Sequence, residues 1–136
     1  MKEISGINHI GIRVVNLDRS ITFYQKLGFE VVGPIGMESI SNMTHSSGIC
    51  INLIPNADPG ITNNILLDSV DRPPGYTHVA LDVDDIVSVE NKIKEMRIPI
   101  TEGPVTLSGG DVMFFIRDPD RNVIEFYQNS SRKTAS

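Results

Sequence analysis

Hydrophobic positions change period along this chain, and the change then repeats in the same order. Residues 7–14 are short, β-branched and bounded by Gly6 and Asn16, which predicts a strand. From Asn16 the apolar positions move to helical spacing, at Leu17, Ser20/Ile21, Tyr24 and Leu27. Asn16 offers the N-cap and Gly28 the C-terminal stop. Three strand-like runs follow. Residues 29–32 are closed by Gly33-Pro34, residues 37–44 read as a third strand, and residues 49–54 follow the turn Ser46-Ser47-Gly48.

The second half restates the first. Asn8-His9-Ile10-Gly11-Ile12-Arg13-Val14 is answered by Thr77-His78-Val79-Ala80-Leu81-Asp82-Val83, at an offset of 69. The same offset carries Leu17, Ser20, Tyr24 and Leu27 onto Ile86, Val89, Ile93 and Met96. Asp84 or Asp85 caps a helix running to about Arg97. Residues 98–102 form a strand closed by Gly103-Pro104, and residues 111–117 and 122–128 form a hairpin around Asp118-Pro119-Asp120-Arg121. An internal repeat fixes architecture before any local assignment does. The expectation is an α+β fold of two βαβββ modules in one domain. Module one covers about 5–54 and module two about 76–128, with a Pro-, Asn-, Asp- and Gly-rich linker over 55–75 and a frayed tail over 129–136. Within the linker, Ile65-Leu66-Leu67 is apolar enough to pack.

Strand side chains alternate between faces. His9, Gly11 and Arg13 therefore share one face of the first strand, and His78, Ala80 and Asp82 share the matching face in module two. With helices covering the other face, each sheet can curl and leave a concave open side. Glu125 interrupts the apolar last strand Val123-Ile124-Glu125-Phe126-Tyr127. A carboxylate there is costly unless it is paired or bound to a metal. Its counterpart is Asn52 in Ile51-Asn52-Leu53, at an offset of 73, and the four extra residues are assigned to the Asp118–Arg121 hairpin. His9, His78 and Glu125 then form a two-His, one-carboxylate metal set with positions left open for substrate and water.

Other residues read more plainly. Arg13 fits either an ion pair with a neighbouring carboxylate or a substrate contact. His45 reads as an ordinary surface residue, and the Asp118–Asn122 segment as turn chemistry that serves only to place Glu125. Asp18-Arg19 and Lys92, Lys94 and Glu95 read as solvated helix faces.

Composition narrows the classes. The chain has 136 residues, 40% hydrophobic and 21% charged, enough for a real core. A net charge of −5 argues against nucleic acid. No apolar run reaches a membrane span and the first residues lack a signal-peptide core, so a cytoplasmic location is expected. The single Cys50 excludes an internal disulfide and reads as a small core residue. No GxGxxG, P-loop, GxSxG or CxxC is present.

The motifs His9–Val14, Leu17, Arg19–Tyr24 and Leu27-Gly28-Phe29 resemble the opening of glyoxalase I. Tyr76–Ala80 and Arg117–Glu125 are similar to the closing motif of the vicinal oxygen chelate superfamily. That group includes glyoxalase I, methylmalonyl-CoA epimerase, extradiol dioxygenases, fosfomycin-resistance thiol transferases and bleomycin-binding proteins. The resemblance covers nearly all of residues 5–128. It implies paired modules enclosing a cup, a divalent metal (Fe, Ni, Zn or Mn) held by His9, His78 and Glu125, and a homodimer that sometimes shares its site between subunits. It gives Arg13 the role of holding a thiol cofactor's carboxylate. Asn52 stands where glyoxalase I and the epimerase have Glu or Gln, so proton transfer falls to Glu125 and Asn52 is left as a weak ligand or a substrate contact. The segment Pro74–Thr77 also departs from the glyoxalase I motif. Three classes follow: a metal-dependent enzyme on a small oxygenated substrate, first as a glyoxalase I-like lyase/isomerase and otherwise as an extradiol-type dioxygenase or thiol transferase; a metal-free small-molecule binding or resistance protein; and a structural or regulatory module.

Overall fold

A computed structural model describes residues 1–34 and 40–132 of the chain. Module one holds β1 (Ile10–Arg13), α1 (Leu17–Lys26), β2 (Glu30–Pro34), β3 (Ser41–Thr44) and β4 (Cys50–Ile54). Module two holds β5 (His78–Asp82), α2 (Ile86–Glu95), β6 (Ile100–Thr106), β7 (Val112–Arg117) and β8 (Val123–Gln128), followed by a short 3₁₀ turn at Ser130–Arg132. Each set makes one four-stranded mixed sheet, in the orders β1-β4-β3-β2 and β5-β8-β7-β6. The first strand of each pairs parallel with the last, and the rest are antiparallel. The expected third strand over 37–44 is present as Ser41–Thr44, and residues 37–39 lie outside the described residues.

The helices start where their caps stand. The Asn16 side chain accepts from Arg19 N at 3.0 Å, and Asp85, rather than Asp84, accepts from Ser88 N at 3.1 Å. Gln128 adds a tertiary cap, its Oε1 accepting from Ile86 N at 2.8 Å and tying the end of β8 to the start of α2. Ser20 and Tyr24 bury one face of α1, and Val14, Phe29, Met43, Ile51 and Leu53 complete that core. Ile86 and Ile93 of α2 do the same over Phe114, Ile116, Ile124 and Phe126. The other face carries Asn52 in module one, and His78, Glu125 and Phe115 in module two.

The repeat is visible in the pairing register, and it moves the insertion. Met43↔Ile51 and Thr44↔Cys50 in module one answer Ile116↔Ile124 and Arg117↔Val123 in module two, so the offset is already 73 before the last hairpin begins. The four extra residues therefore do not sit in the Asp118–Arg121 hairpin. They lie ahead of β7. There β6 does not close at Gly103-Pro104 but continues through it to Thr106, with register shifts on both sides of Glu102. An edge strand has one partner only, so a bulge and a residue without an N–H are tolerated there. Gly103 has φ +84, and a Cβ on it would lie 2.8 Å from Met113 O, so the position requires glycine.

The two β-hairpin turns are likewise equivalent. Asp118 Oδ1 accepts from Asp120 N and Asn122 N, both at 2.9 Å. In the first hairpin His45 does the same work, its Nδ1 accepting from Ser47 N at 3.0 Å while its ring packs on Phe29. Turn chemistry thus accounts for both segments. Cys50 is half-buried at the start of β4.

Where module one uses glycine with a positive φ, module two uses arginine. Gly28 (φ 94) and Gly48 (φ 97) are matched by Arg97 (φ 57) and Arg121 (φ 67). A side chain in the left-handed region costs roughly 1–2 kcal/mol, against about 0.5–1 kcal/mol for the extra unfolded-state freedom of glycine. Arg97→Gly at the end of α2 is expected to stabilise the protein by about 0.5–1 kcal/mol, read as a higher urea midpoint at unchanged slope. An equal or lower midpoint contradicts this.

Candidate metal and substrate site

The open face of the second sheet gathers the chemistry of module two. The registers His78↔Val123, Ala80↔Glu125 and Phe115↔Glu125 put His78, Glu125 and Phe115 side by side on the face away from α2. Alternation dictates this, because Ile124 and Phe126 on either side of Glu125 point into the core. Glu125 is 7% exposed, and its Oε2 lies 3.0 Å from His78 Nε2. His78 Nδ1 is 2.9 Å from Thr77 Oγ1, and its ring meets Phe115 edge-on. The buried carboxylate thus has a partner, and that partner is the histidine the sequence singles out. Both groups are ligand types for divalent metals.

Module one repeats the placement with different chemistry. Gly11↔Asn52 is the register equivalent of Ala80↔Glu125, so Asn52 occupies the position of Glu125. Asn52 is 8% exposed, and its Oδ1 is buried without a hydrogen-bond partner. Leaving a buried acceptor unmatched costs roughly 1–3 kcal/mol, which makes the atom a candidate to face a ligand. Just before β1, His9 Nδ1 lies 2.8 Å from Asn8 Oδ1. An Nδ1–H donated to that oxygen leaves the lone pair on Nε2, the form a metal requires. Arg13 is exposed on the same face and makes no ion pair among the described residues. Among the described residues no group of three or more His, Cys, Asp and Glu comes together to hold a metal; His78 and Glu125 are the pair that meets.

Two further networks lie on module two, and sequence reasoning missed both. Tyr127, two positions beyond Glu125 on the same face, donates its hydroxyl to Asp111 Oδ2, while Asp111 Oδ1 accepts from Ser130 N at 2.7 Å. The Ser130 amide, then the phenol, hold the Asp111 carboxyl below its ordinary value of 3.8. The bond to Asp111 raises the Tyr127 phenol above 10.0. Asp111 therefore stabilises the fold above the ordinary carboxylate range, and that contribution disappears as pH falls through its lowered pKa. Tyr127 contributes below its ordinary pKa, and that contribution disappears as pH rises through its raised one. Tyr127→Phe should be less stable than wild type at neutral pH, with the gap closing at both the acid and the alkaline end. A gap independent of pH in urea titrations contradicts this.

The second network pins the linker. Arg117 donates Nη1 and Nη2 to the two carboxylate oxygens of Asp68 at 2.8 and 3.0 Å, and Asn64 Nδ2 donates to Arg121 O at 3.1 Å. The Arg117 guanidinium holds the Asp68 carboxyl below the usual range. The part of the 55–75 linker from Thr62 onward thus clusters with module two. Beside it lies a cavity of about 410 Å³ lined by Thr77, His78, Thr101, Glu102, Phe115 and Arg117, with Leu67 of the apolar linker triplet on its wall. Arg117 and Asp68 left no signal in the sequence beyond their types, because their pairing spans 49 residues. The DPD motif next to Arg117 reads as a turn and hides it.

The profile of the Glyoxalase/Bleomycin resistance protein/Dioxygenase superfamily matches residues 6–126. The chain belongs to this superfamily. Among curated glyoxalase-superfamily relatives, it is 32% identical to the lactoylglutathione lyase of Haemophilus influenzae, over 94% of this chain and 96% of that one. It is also 32% identical to the probable lactoylglutathione lyase of Synechocystis sp., over 92% and 96% of the two chains. A solved glyoxalase family protein from Enterococcus faecalis superposes with a TM-score of 0.74 at 24% identity, covering 90% of this chain and 96% of its own, and shares the fold. Among the described residues no helix is long and apolar enough to cross a membrane.

Proposed function

We propose that this chain is a divalent-metal-dependent, glyoxalase I-like lyase/isomerase whose substrate is the hemithioacetal of a small α-ketoaldehyde and a thiol. The observation that carries this reading is the 3.0 Å approach of His78 Nε2 to the buried Glu125 carboxylate on the open face of module two. Two relatives with lactoylglutathione lyase names at 32% identity support the choice of reaction within the superfamily.

The donors fit a hard or borderline divalent ion such as Fe, Ni, Zn or Mn: imidazole from His9 and His78, carboxylate from Glu125, and the unpartnered amide oxygen of Asn52 as a weaker ligand or substrate contact. When bound, such an ion supplies Lewis-acid stabilisation of negative charge on the substrate's two neighbouring oxygens. Glu125 does the proton work. Its carboxylate takes the C–H proton from the sulfur-bearing carbon and returns it to the adjacent former carbonyl carbon. The hydroxyl proton passes from the first oxygen to the second, so the hemithioacetal becomes a 2-hydroxy thioester with no atom gained or lost. His78 orients the carboxylate, and Phe115 and Val123, on the same face beside it, limit the water that reaches it. Arg13 holds an anionic group of the substrate rather than the metal. It lies four residues beyond His9, about 13 Å along a strand.

Arg13→Ala should raise KM for an anionic hemithioacetal by about tenfold, the loss of one charge-assisted hydrogen bond, at unchanged metal content. Equal metal loss in Arg13→Ala and His9→Ala overturns the assignment of Arg13. A second reading, ring cleavage with Fe(II) and dioxygen, is favoured by Asn52, which leaves three strong donors and open positions. Thioester formation from hemithioacetal, set against oxidation of catechol after anaerobic Fe(II) loading, tells the two apart.

A further inference from the structure

The cavity beside His78 has a charge pattern that bears on the substrate. Among its lining residues Arg117 is the only Arg or Lys, and an arginine in a cavity ordinarily suggests an anion site. Here the guanidinium is already matched. Asp68 takes both Nη donors in a two-point ion pair, Arg121 O accepts again from Nη1 at 3.3 Å, and only 19% of the Arg117 side chain is exposed; the Arg121 guanidinium reaches the same carboxylate only at 3.9 Å, from a half-exposed side chain that is not part of the cavity lining. Asp68 is fixed in turn by Asn64, whose N–H donates to its Oδ2 at 3.2 Å, and by the return bond from Asp68 N to Asn64 O at 2.7 Å. A ligand carboxylate would have to displace a preorganised one. Glu102, in contrast, is exposed on the edge strand β6 and makes no ion pair among the described residues. Thr77 and Thr101 also line the cavity, the Thr77 hydroxyl 2.9 Å from His78 Nδ1 and the Thr101 hydroxyl donating to Phe115 O at 3.1 Å.

We propose that the Asp68–Arg117 pair sets the charge selectivity of the wall of this cavity away from His78: by matching its one Arg or Lys side chain, Asp68 leaves Glu102 as the unpaired side-chain charge there, so that wall takes a cationic or neutral hydroxylated arm of the substrate and disfavours a carboxylate. This deepens the proposed function, since the cavity borders His78, and it rests on that reading for the identity of the substrate as a thiol adduct. Phe115 suits the same occupant, because a quaternary ammonium is attracted to an aromatic face.

The test uses three unreactive thioether probes of matched length: 2-(methylthio)ethyl-trimethylammonium, 2-(methylthio)ethanol and 3-(methylthio)propionate. Each is titrated into ¹⁵N-labelled protein, and the shifts of the Thr77, Thr101 and Phe115 amides give Kd at this cavity. The readout is the ratio of anion Kd to cation Kd, compared between wild type, Glu102→Gln and Asp68→Asn. Facing an exposed charge, each variant should lower that ratio by about threefold to tenfold. Glu102→Lys should invert it. Glu102 is exposed, so its variants keep the test valid if Asp68→Asn melts early. A ratio unchanged within twofold in both Glu102 variants, or in folded Asp68→Asn, overturns the proposal, as does a failure of all three probes to move these amides. Because the probes do not react, absence of thioester formation would sink the enzymatic reading and leave this ratio standing.

Discussion

Glu125→Gln is expected to lower thioester formation by about 10²–10⁴-fold, the range for removing a positioned general base. The substitution keeps the shape of the side chain and a hydrogen bond to His78, but an amide takes up no proton from carbon at neutral pH. It also exchanges a charged ligand for a neutral one, so metal affinity should fall with it. His78→Ala should match the loss of metal for a different reason, because it removes the imidazole and leaves the Glu125 carboxylate, 7% exposed, without its partner. The two variants therefore separate in stability. Glu125→Gln should unfold near wild type, and His78→Ala should unfold earlier in apo form. Turnover by Glu125→Gln within tenfold of wild type, with metal bound, would show that another group moves the proton.

Asn52→Glu is the second large effect, and it runs in the opposite direction. Asn52 occupies in module one the register position that Glu125 holds in module two, and its Oδ1 is buried without a partner. A carboxylate there adds charge and a stronger oxygen donor, so metal binding should tighten by about tenfold or more, and any trace isomerase activity should rise as a second base becomes available. A ring-cleaving site would respond the other way, because the new ligand would fill a position needed by catechol or dioxygen. Catechol oxidation in wild type that vanishes in Asn52→Glu would replace the present reading with the dioxygenase one. Calorimetry of the apo proteins supplies a control, since the introduced carboxylate is a buried charge when no metal is bound and should lower the melting temperature.

Much of this was legible before any coordinates, for a physical reason. A repeat reports on itself twice: one offset of 69 set both first strands and both helices, so His9 and His78 could be paired from sequence, although β1 opens at Ile10 and leaves His9 just ahead of the strand while His78 opens β5. The Asn52–Glu125 equivalence held as well, since the register opposite Gly11 and Ala80 confirms it. The position of the four extra residues was not legible. Bulges on β6 let the strand take up residues without breaking, and Gly103-Pro104, which reads as a strand end in sequence, lies inside β6. The Arg117–Asp68 pair was also out of reach. Ion pairs between a strand and a linker follow no period, and the cavity they border depends on where Leu67 folds back. The Tyr127–Asp111 bond joins residues 16 apart across the β7–β8 hairpin, and the hydrophobic character of β8 masked the phenol as one more core aromatic.

Thioester formation before and after removal of metal decides whether the His78–Glu125 face works as a metal-dependent lyase. The chain is stripped with chelator, dialysed, and reloaded separately with Fe(II), Ni(II), Zn(II) and Mn(II), while ion uptake is followed by calorimetry and thioester formation from a methylglyoxal hemithioacetal is followed in the same samples. The stripped protein should show no turnover, take up one ion per chain, and recover activity with at least one of the four, in wild type but not in Glu125→Gln. A chain that takes up none of these ions, or that forms thioester equally well when stripped, contradicts this.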